Sequence, residues 1–206
     1  MLNGKNKFDT QKMVLAALMT AFVIVFQLIG TFTSFFGPFS TALALIPIVM
    51  GAVMCGTWCG AWLGFVFAVV VFASGGASLF FYLDPPKTAI GAVIVVFAKG
   101  ILCGLAAGLA YHTLNKLKAN RYLSVLISAL VCPVVNTAVF LLGSAIFYLD
   151  YAQNIVEKLP TVFPNGASGM EVFFILAFSN FLFEIGINIV LCPAMYRILC
   201  IKRKKA

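Results

Sequence analysis

The sequence predicts an all-α membrane protein: one domain of six transmembrane helices, with the N- and C-termini in the cytoplasm. Of its 206 residues, 63% are hydrophobic and only 10% are charged, whereas soluble domains carry about 25% charged residues. The apolar residues form long continuous runs, as spanning helices of about 20 residues require. The basic residues cluster in segments that six spans would place on one side of the membrane. Composition, run length and charge therefore predict the same architecture.

The apolar runs give the helices in chain order. The predicted helices cover residues 13–35, 40–56, 58–74, 88–113, 122–148 and 170–199 of a single domain, 1–206. The second and third are short, and only Gly56, Thr57 and Trp58 separate them.

The positions of the charges predict the orientation. Eleven of the fourteen Lys and Arg residues precede the first helix, lie between the fourth and fifth, or follow the sixth: Lys5, Lys7, Lys12, Lys116, Lys118, Arg121, Arg197, Lys202, Arg203, Lys204 and Lys205. Because cytoplasmic segments are enriched in Lys and Arg, both termini are predicted to be cytoplasmic, which requires an even number of spans. The net charge of +8 follows from this topology and indicates a lipid bilayer, not a nucleic acid, as the partner.

The segments predicted to face outside are candidates for ligand contact. Residues 30–40 and 74–87 are rich in aromatic residues, and residues 150–169 form the longest and most polar connection. Such segments act either as lids over a site or as aromatic anchors at the membrane interface. Under the first interpretation, Phe36, Tyr82 and Asp84 are expected to contact a ligand.

Small residues recur at four-residue spacing on two helices. The first helix carries Ala16, Ala17, Thr20 and Ala21, and the fourth carries Gly100, Gly104 and Gly108. Such faces allow helices in membranes to approach closely. The spacing alone favours packing within the chain, with docking of a partner protein as the alternative.

Lys99 is the most informative residue of the chain. It lies within the apolar run from Ala89 to Tyr111, which contains no other charged residue. A charged side chain at that depth costs about 2.5–3.5 kcal/mol on insertion scales. Lys99 is therefore expected to have a partner or to bind a ligand.

The last two helices add further polar residues at similar depth. Asn180, Glu184 and Asn188 lie at four-residue spacing and share one helical face, while Asn136 and Thr137 follow Pro133. A polar face on an apolar helix must face protein or a cavity. Two interpretations remain open: a Lys99–Glu184 ion pair that joins two helices, or a site for a small, hydroxylated, anionic molecule.

The sequence also excludes several functions. It contains no G-x4-G-K-[ST] loop for ATP phosphates and no H-E-x-x-H or G-x-S-x-G motif, so neither catalytic residues nor a cofactor are predicted. The six cysteines lie in or at the ends of apolar runs and resemble small buried hydrophobic residues, without the partners of a metal site.

Four features together resemble the substrate-binding subunit (S component) of energy-coupling factor (ECF) vitamin transporters. They are the basic N-terminus leading into an Ala-x3-Ala helix, six spans in about 200 residues, the stretch GPFSTALALIPIVMGAVMCGTWCGAWLGFVFA at 37–68, and the run DPPKTAIGAVIVVFAKGILCGLAAGLAY at 84–111. The resemblance implies a subunit in a prokaryotic plasma membrane that captures a vitamin from outside. It also implies association with a transmembrane coupling protein and two cytoplasmic ATPases, with Ala17 and Ala21 on the docking face and the segments after the first and third helices as lids.

Among the vitamins, the resemblance favours pantothenate. The turn at 37–40, the residues that follow at 45–48 and the Asp84-Pro85 element are similar to pantothenate-type members. Riboflavin and folate are the second and third candidates. A function of another class also remains open: a stand-alone secondary transporter in which Glu184 relays protons.

Overall fold

The computed structural model describes residues 4–33, 43–74, 87–147 and 169–204. All secondary structure in these ranges is helical, and it comprises six helices. They are α1 (Gly4–Thr33), α2 (Leu45–Cys55), α3 (Thr57–Ala73), α4 (Lys87–Lys116), α5 (Arg121–Phe147) and α6 (Gly169–Lys204). The prediction of an all-helical chain with six helices in this order is confirmed for these ranges.

The helix lengths bear out four of the six predicted spans and leave the other two as a prediction. Four helices are long and apolar enough to cross a membrane, namely Thr10–Phe32, Ala89–Lys116, Arg121–Phe147 and Ala177–Cys200. By contrast, α2 has 11 residues and α3 has 17. At 1.5 Å per residue, α2 is only about 17 Å long, whereas the hydrocarbon core is about 30 Å thick. The described residues therefore support four spans by length and leave α2 and α3 as shorter apolar helices.

The helix bounds also differ from those predicted. Polar residues extend α1 back to Gly4 and α6 forward to Lys204, because Lys, Asn and Gln are compatible with a helix although they end an apolar run. Hydrophobicity therefore marks the apolar part of each helix, and the hydrogen-bonded helix continues beyond it.

Gly56 alone separates α2 from α3, and it lies within the predicted junction of Gly56, Thr57 and Trp58. Gly56 has φ 112° and donates its backbone N–H to the carbonyl of Ala52 at 3.2 Å. Glycine adopts such positive φ values without the steric cost that a Cβ would bring. The chain can therefore reverse there, and α2 and α3 pack against each other.

Glycines bring α3 and α4 close together. The Cα of Gly64 lies against the backbone of Gly100, and that of Gly60 lies against the backbone of Gly104, so a Cβ at any of the four would collide with the opposite helix. Gly108 similarly faces Thr57. The predicted small-residue face of the fourth helix thus packs within the chain, which holds α4 tightly at the level of Lys99.

The order of packing determines which helices can form a site together. α4 packs against α5, and α5 packs against α6. Ser128 of α5 donates its hydroxyl to the carbonyl of Ala107 of α4 at 2.7 Å, within the buried interface. α1 packs against α2 and α3 and leaves much of its surface exposed. The three helices that carry the predicted polar residues are therefore neighbours, while α1 lies at the periphery.

Candidate ligand-binding site

Glu184 is the centre of a buried polar cluster between α5 and α6. Its side chain is 0% exposed. Asn180, one turn earlier on the same helix, donates its amide Nδ2 to Glu184 Oε1 at 2.6 Å. Asn136 of α5 lies with its Nδ2 3.3 Å from Oε1 and 3.4 Å from Oε2. A buried carboxylate is costly unless hydrogen bonds compensate for its lost hydration, so these amides stabilise Glu184 and link the two helices.

Asn136 is positioned by a helix that continues through a proline. Pro133 lies inside α5, which runs from Arg121 to Phe147 without a break. Because proline has no N–H, it leaves a carbonyl of the preceding turn without its usual donor. Such irregularities are tolerated at membrane depth where neighbouring groups are polar. Asn136, which is 3% exposed, follows three residues later on the side that faces α6.

Lys99 has surroundings different from those of Glu184. Its Nζ stands 5.6 Å from the centre of the Phe140 ring and 5.9 Å from that of Phe67. A cation over an aromatic face gains about 0.5–2 kcal/mol, with the larger value for desolvated pairs. The side chain of Lys99 is only partly buried. The ammonium thus lies near two aromatic rings at the border of the cavity, and it is close enough to Glu184 to interact with it electrostatically.

A cavity opens beside this ammonium. It has a volume of about 150 Å³ and is lined by Lys99, Asn136, Thr137, Phe140, Ala177 and Asn180. On the same measure one water molecule needs about 10–15 Å³, so the cavity has room for about ten water molecules or one small solute. Its lining supplies a cation, two amides, a hydroxyl and an aromatic face, which are suited to a small molecule that is both polar and apolar.

The structure brings together most of the predicted residues, but not all of them lie in the cavity lining. Four of them line the cavity: Lys99, Asn136, Thr137 and Asn180. Glu184 accepts hydrogen bonds from Asn136 and Asn180. Asn188 lies one turn further along α6, where it is fully buried and neither polar atom of its side chain has a hydrogen-bond partner in the described part of the chain. Phe36, Tyr82 and Asp84 fall outside the described residues.

Sequence reasoning did not identify three apolar residues at the site. Phe140 and Ala177 line the cavity, and the ring of Phe67 lies 5.9 Å from the Nζ of Lys99. A signal exists for two of them, because Phe140 follows Asn136 by one turn and Ala177 precedes Asn180 by three residues. Phe67 is one of 21 phenylalanines in the chain, and nothing in its spacing distinguishes it.

The small-residue face of α1 is divided between the surface and the interior. Ala17 and Ala21 are exposed, while Ala16 and Thr20 are partly buried. The hydroxyl of Thr20 donates to the carbonyl of Ala16 at 2.9 Å, so it is satisfied within its own helix. The exposed surface at Ala17 and Ala21 therefore consists of small apolar side chains.

The described residues offer no alternative site for a metal. No group of three or more His, Cys, Asp or Glu side chains that could hold a metal ion occurs in the described ranges. The cysteines in these ranges are free thiols.

A largely apolar bundle of helices with a cation and amides around a cavity is typical of a helical membrane protein that binds a small solute. The family model of the ECF transporter substrate-specific component matches residues 11–196. The chain belongs to this family, and it is a transport subunit rather than an enzyme. No curated protein and no solved structure matches it.

Proposed function

We propose that the chain is the subunit that binds pantothenate outside the cell and delivers it through an ATP-driven ECF module. The observation that carries the proposal is the arrangement of Lys99, Asn136, Thr137 and Asn180 around one cavity. Membership of the ECF substrate-specific family supports a small-molecule substrate and an ECF partner. The vitamin is inferred from the chemistry of the lining.

The lining matches the groups of pantothenate. The ammonium of Lys99 is a compact cation suited to a carboxylate, and pantothenate carries one carboxylate. The Asn and Thr side chains supply both donors and acceptors for its amide and its two hydroxyls, and Phe140 supplies an apolar surface for its methyl groups. Pantothenate is also much smaller than riboflavin or folate, which agrees with a cavity of about 150 Å³.

A binding screen of the purified protein tests the vitamin. Wild-type protein in detergent is titrated with pantothenate, riboflavin and folate by calorimetry, without ATP, and small molecules that copurify with it are identified by mass spectrometry. Saturable one-to-one binding of pantothenate is expected. Binding of riboflavin or folate instead would show that pantothenate is the wrong vitamin, while the role as a vitamin-binding subunit would stand. If no vitamin binds, the proposed function is wrong.

We infer that the topology and the partners are those of the family. With α2 and α3 as short crossing segments, six passages place both termini in the cytoplasm of a prokaryotic cell, which agrees with the positive-inside rule. The partners are then a transmembrane coupling protein and two cytoplasmic ATPases. The exposed Ala17 and Ala21 of α1 support docking of the coupling protein there, because small residues permit close contact between helices.

The alternative of a proton-coupled carrier depends on Glu184. A relay must exchange protons with water, but this carboxylate is 0% exposed and accepts hydrogen bonds from two amides. These contacts favour a static role for Glu184 and therefore support an S component over a carrier that works alone.

A further inference from the structure

The contacts of Glu184 determine how the neighbouring amides are oriented. An ionised carboxylate only accepts hydrogen bonds, so the amide atoms that face it are the nitrogens. Both Asn136 and Asn180 place Nδ2 toward Glu184. Because an amide group is planar, with its oxygen and nitrogen on opposite sides, the same contact fixes where each carbonyl oxygen lies.

The carbonyl oxygen of Asn136 lacks a donor. Oδ1 of Asn136 is buried and has no hydrogen-bond partner among the described residues, although the residue lines the cavity beside Lys99. A buried acceptor without a donor is unfavourable, and most buried polar groups in proteins have a partner. Because Asn136 lines the cavity, a molecule bound there is the candidate for the missing donor.

We propose that Glu184 is a positioning residue that sets the specificity of the cavity through Asn136. By holding the amide nitrogen of Asn136, it fixes the carbonyl oxygen as an acceptor for the bound molecule. The cavity then selects a solute with an anionic group for Lys99 and, close to it, a hydroxyl or N–H donor for Asn136. This inference rests on the proposed binding function. Glu184 itself is fully buried and acts without touching the solute.

The test compares two probes in two variants. The probes are pantothenate and its analogue in which hydrogen replaces both hydroxyl groups, and the variants are Glu184→Gln and, as a matched control on the same helix, Glu171→Gln at an exposed position. Wild-type protein and the control are expected to prefer pantothenate by about tenfold or more, since the acceptor stays unpaired with the analogue. A glutamine has one acceptor oxygen and one donor nitrogen, so it no longer fixes both amides.

The expected result is a loss of selectivity rather than of binding. In Glu184→Gln the preference falls to about threefold or less, while the affinity for the analogue stays within about threefold of wild type. An equal loss for both probes, or an unchanged preference, would overturn the inference. Asn136→Val removes the acceptor directly and must abolish the same preference, which keeps the test decisive if the glutamine variant does not fold.

A second readout needs no vitamin and separates this inference from the proposed function. In protein labelled with 15N-asparagine, the side-chain amide protons of Asn136 and Asn180 are expected at low field, because they donate to a carboxylate. They should move to higher field in Glu184→Gln and stay in place in Glu171→Gln. Unmoved resonances would overturn the inference whatever the screen finds. Shifted resonances with binding of riboflavin or folate would overturn only the choice of pantothenate.

Discussion

Asn180 donates its amide to the carboxylate of Glu184, one helical turn further along α6, at 2.6 Å. This contact distinguishes the two charges that lie deep in the chain. Glu184 is enclosed by amides, whereas Lys99 stands between the rings of Phe140 and Phe67 and faces the cavity. The structure thus gives the carboxylate an internal set of partners and leaves the ammonium beside a space of the size of a small solute.

Substitution of Lys99 is expected to weaken vitamin binding. Lys99→Met keeps most of the length of the side chain and removes the cation. Hydrogen bonds to charged groups contribute about 1.5–3 kcal/mol, which corresponds to a loss of about 10- to 150-fold in affinity. Calorimetric titration with pantothenate measures this loss of affinity. The matched control is Lys116→Met at the exposed end of the same helix, and an equal loss in both variants would show that Lys99 has no specific role.

Replacing a glycine in the contact between α3 and α4 by a larger residue is expected to destabilise the protein. Gly64→Ala places a methyl group against the backbone of Gly100, and such overpacking typically costs about 1–3 kcal/mol. Thermal unfolding in detergent should show a lower midpoint. The control is Gly186→Ala in α6, where no neighbouring atom lies within 4 Å. Because alanine favours a helix by up to about 1 kcal/mol over glycine, this control should be as stable as wild type or more so.

Bulky residues on the exposed face of α1 are expected to prevent docking of the coupling protein while vitamin binding persists. The double variant Ala17→Leu and Ala21→Leu separates two helices that small residues would let approach closely. Copurification with the coupling protein and ATPases should fall well below wild type. Val25→Leu, at another exposed position of α1, is the control and should assemble normally. Normal assembly of the double variant would place the docking surface elsewhere.

Uptake is expected to require the ATP-driven module. Liposomes that contain the chain alone should accumulate no radiolabelled pantothenate under an inward proton gradient, because Glu184 is fully buried and its carboxylate accepts hydrogen bonds from two amides. Liposomes that also contain the coupling protein and ATPases should accumulate it when ATP is enclosed. Gradient-driven uptake by the chain alone would instead support the proton-coupled carrier.

The helical class, the order of the helices and the position of Lys99 and Glu184 within apolar helices could be predicted because they depend on hydrophobicity summed along the chain. The common face of Asn180, Glu184 and Asn188 could be predicted as well, since helical periodicity alone places them there. The length of α2 could not be predicted, because its apolar run does not show where helical hydrogen bonding begins. Four of the predicted spans are long enough by themselves among the described helices, and six spans remain a prediction.

The order of amino acids is enough to tell which residues are polar within apolar helices, and therefore which must face protein or a cavity. How these residues pair becomes visible only in the folded chain. It placed Gly60 and Gly64 opposite Gly104 and Gly100, and it put amides beside Glu184 and aromatic rings beside Lys99. The physical reason is that contacts between helices depend on the rotation and crossing of each helix. Those are set by the packing of all neighbouring side chains together, and no single helical period encodes them.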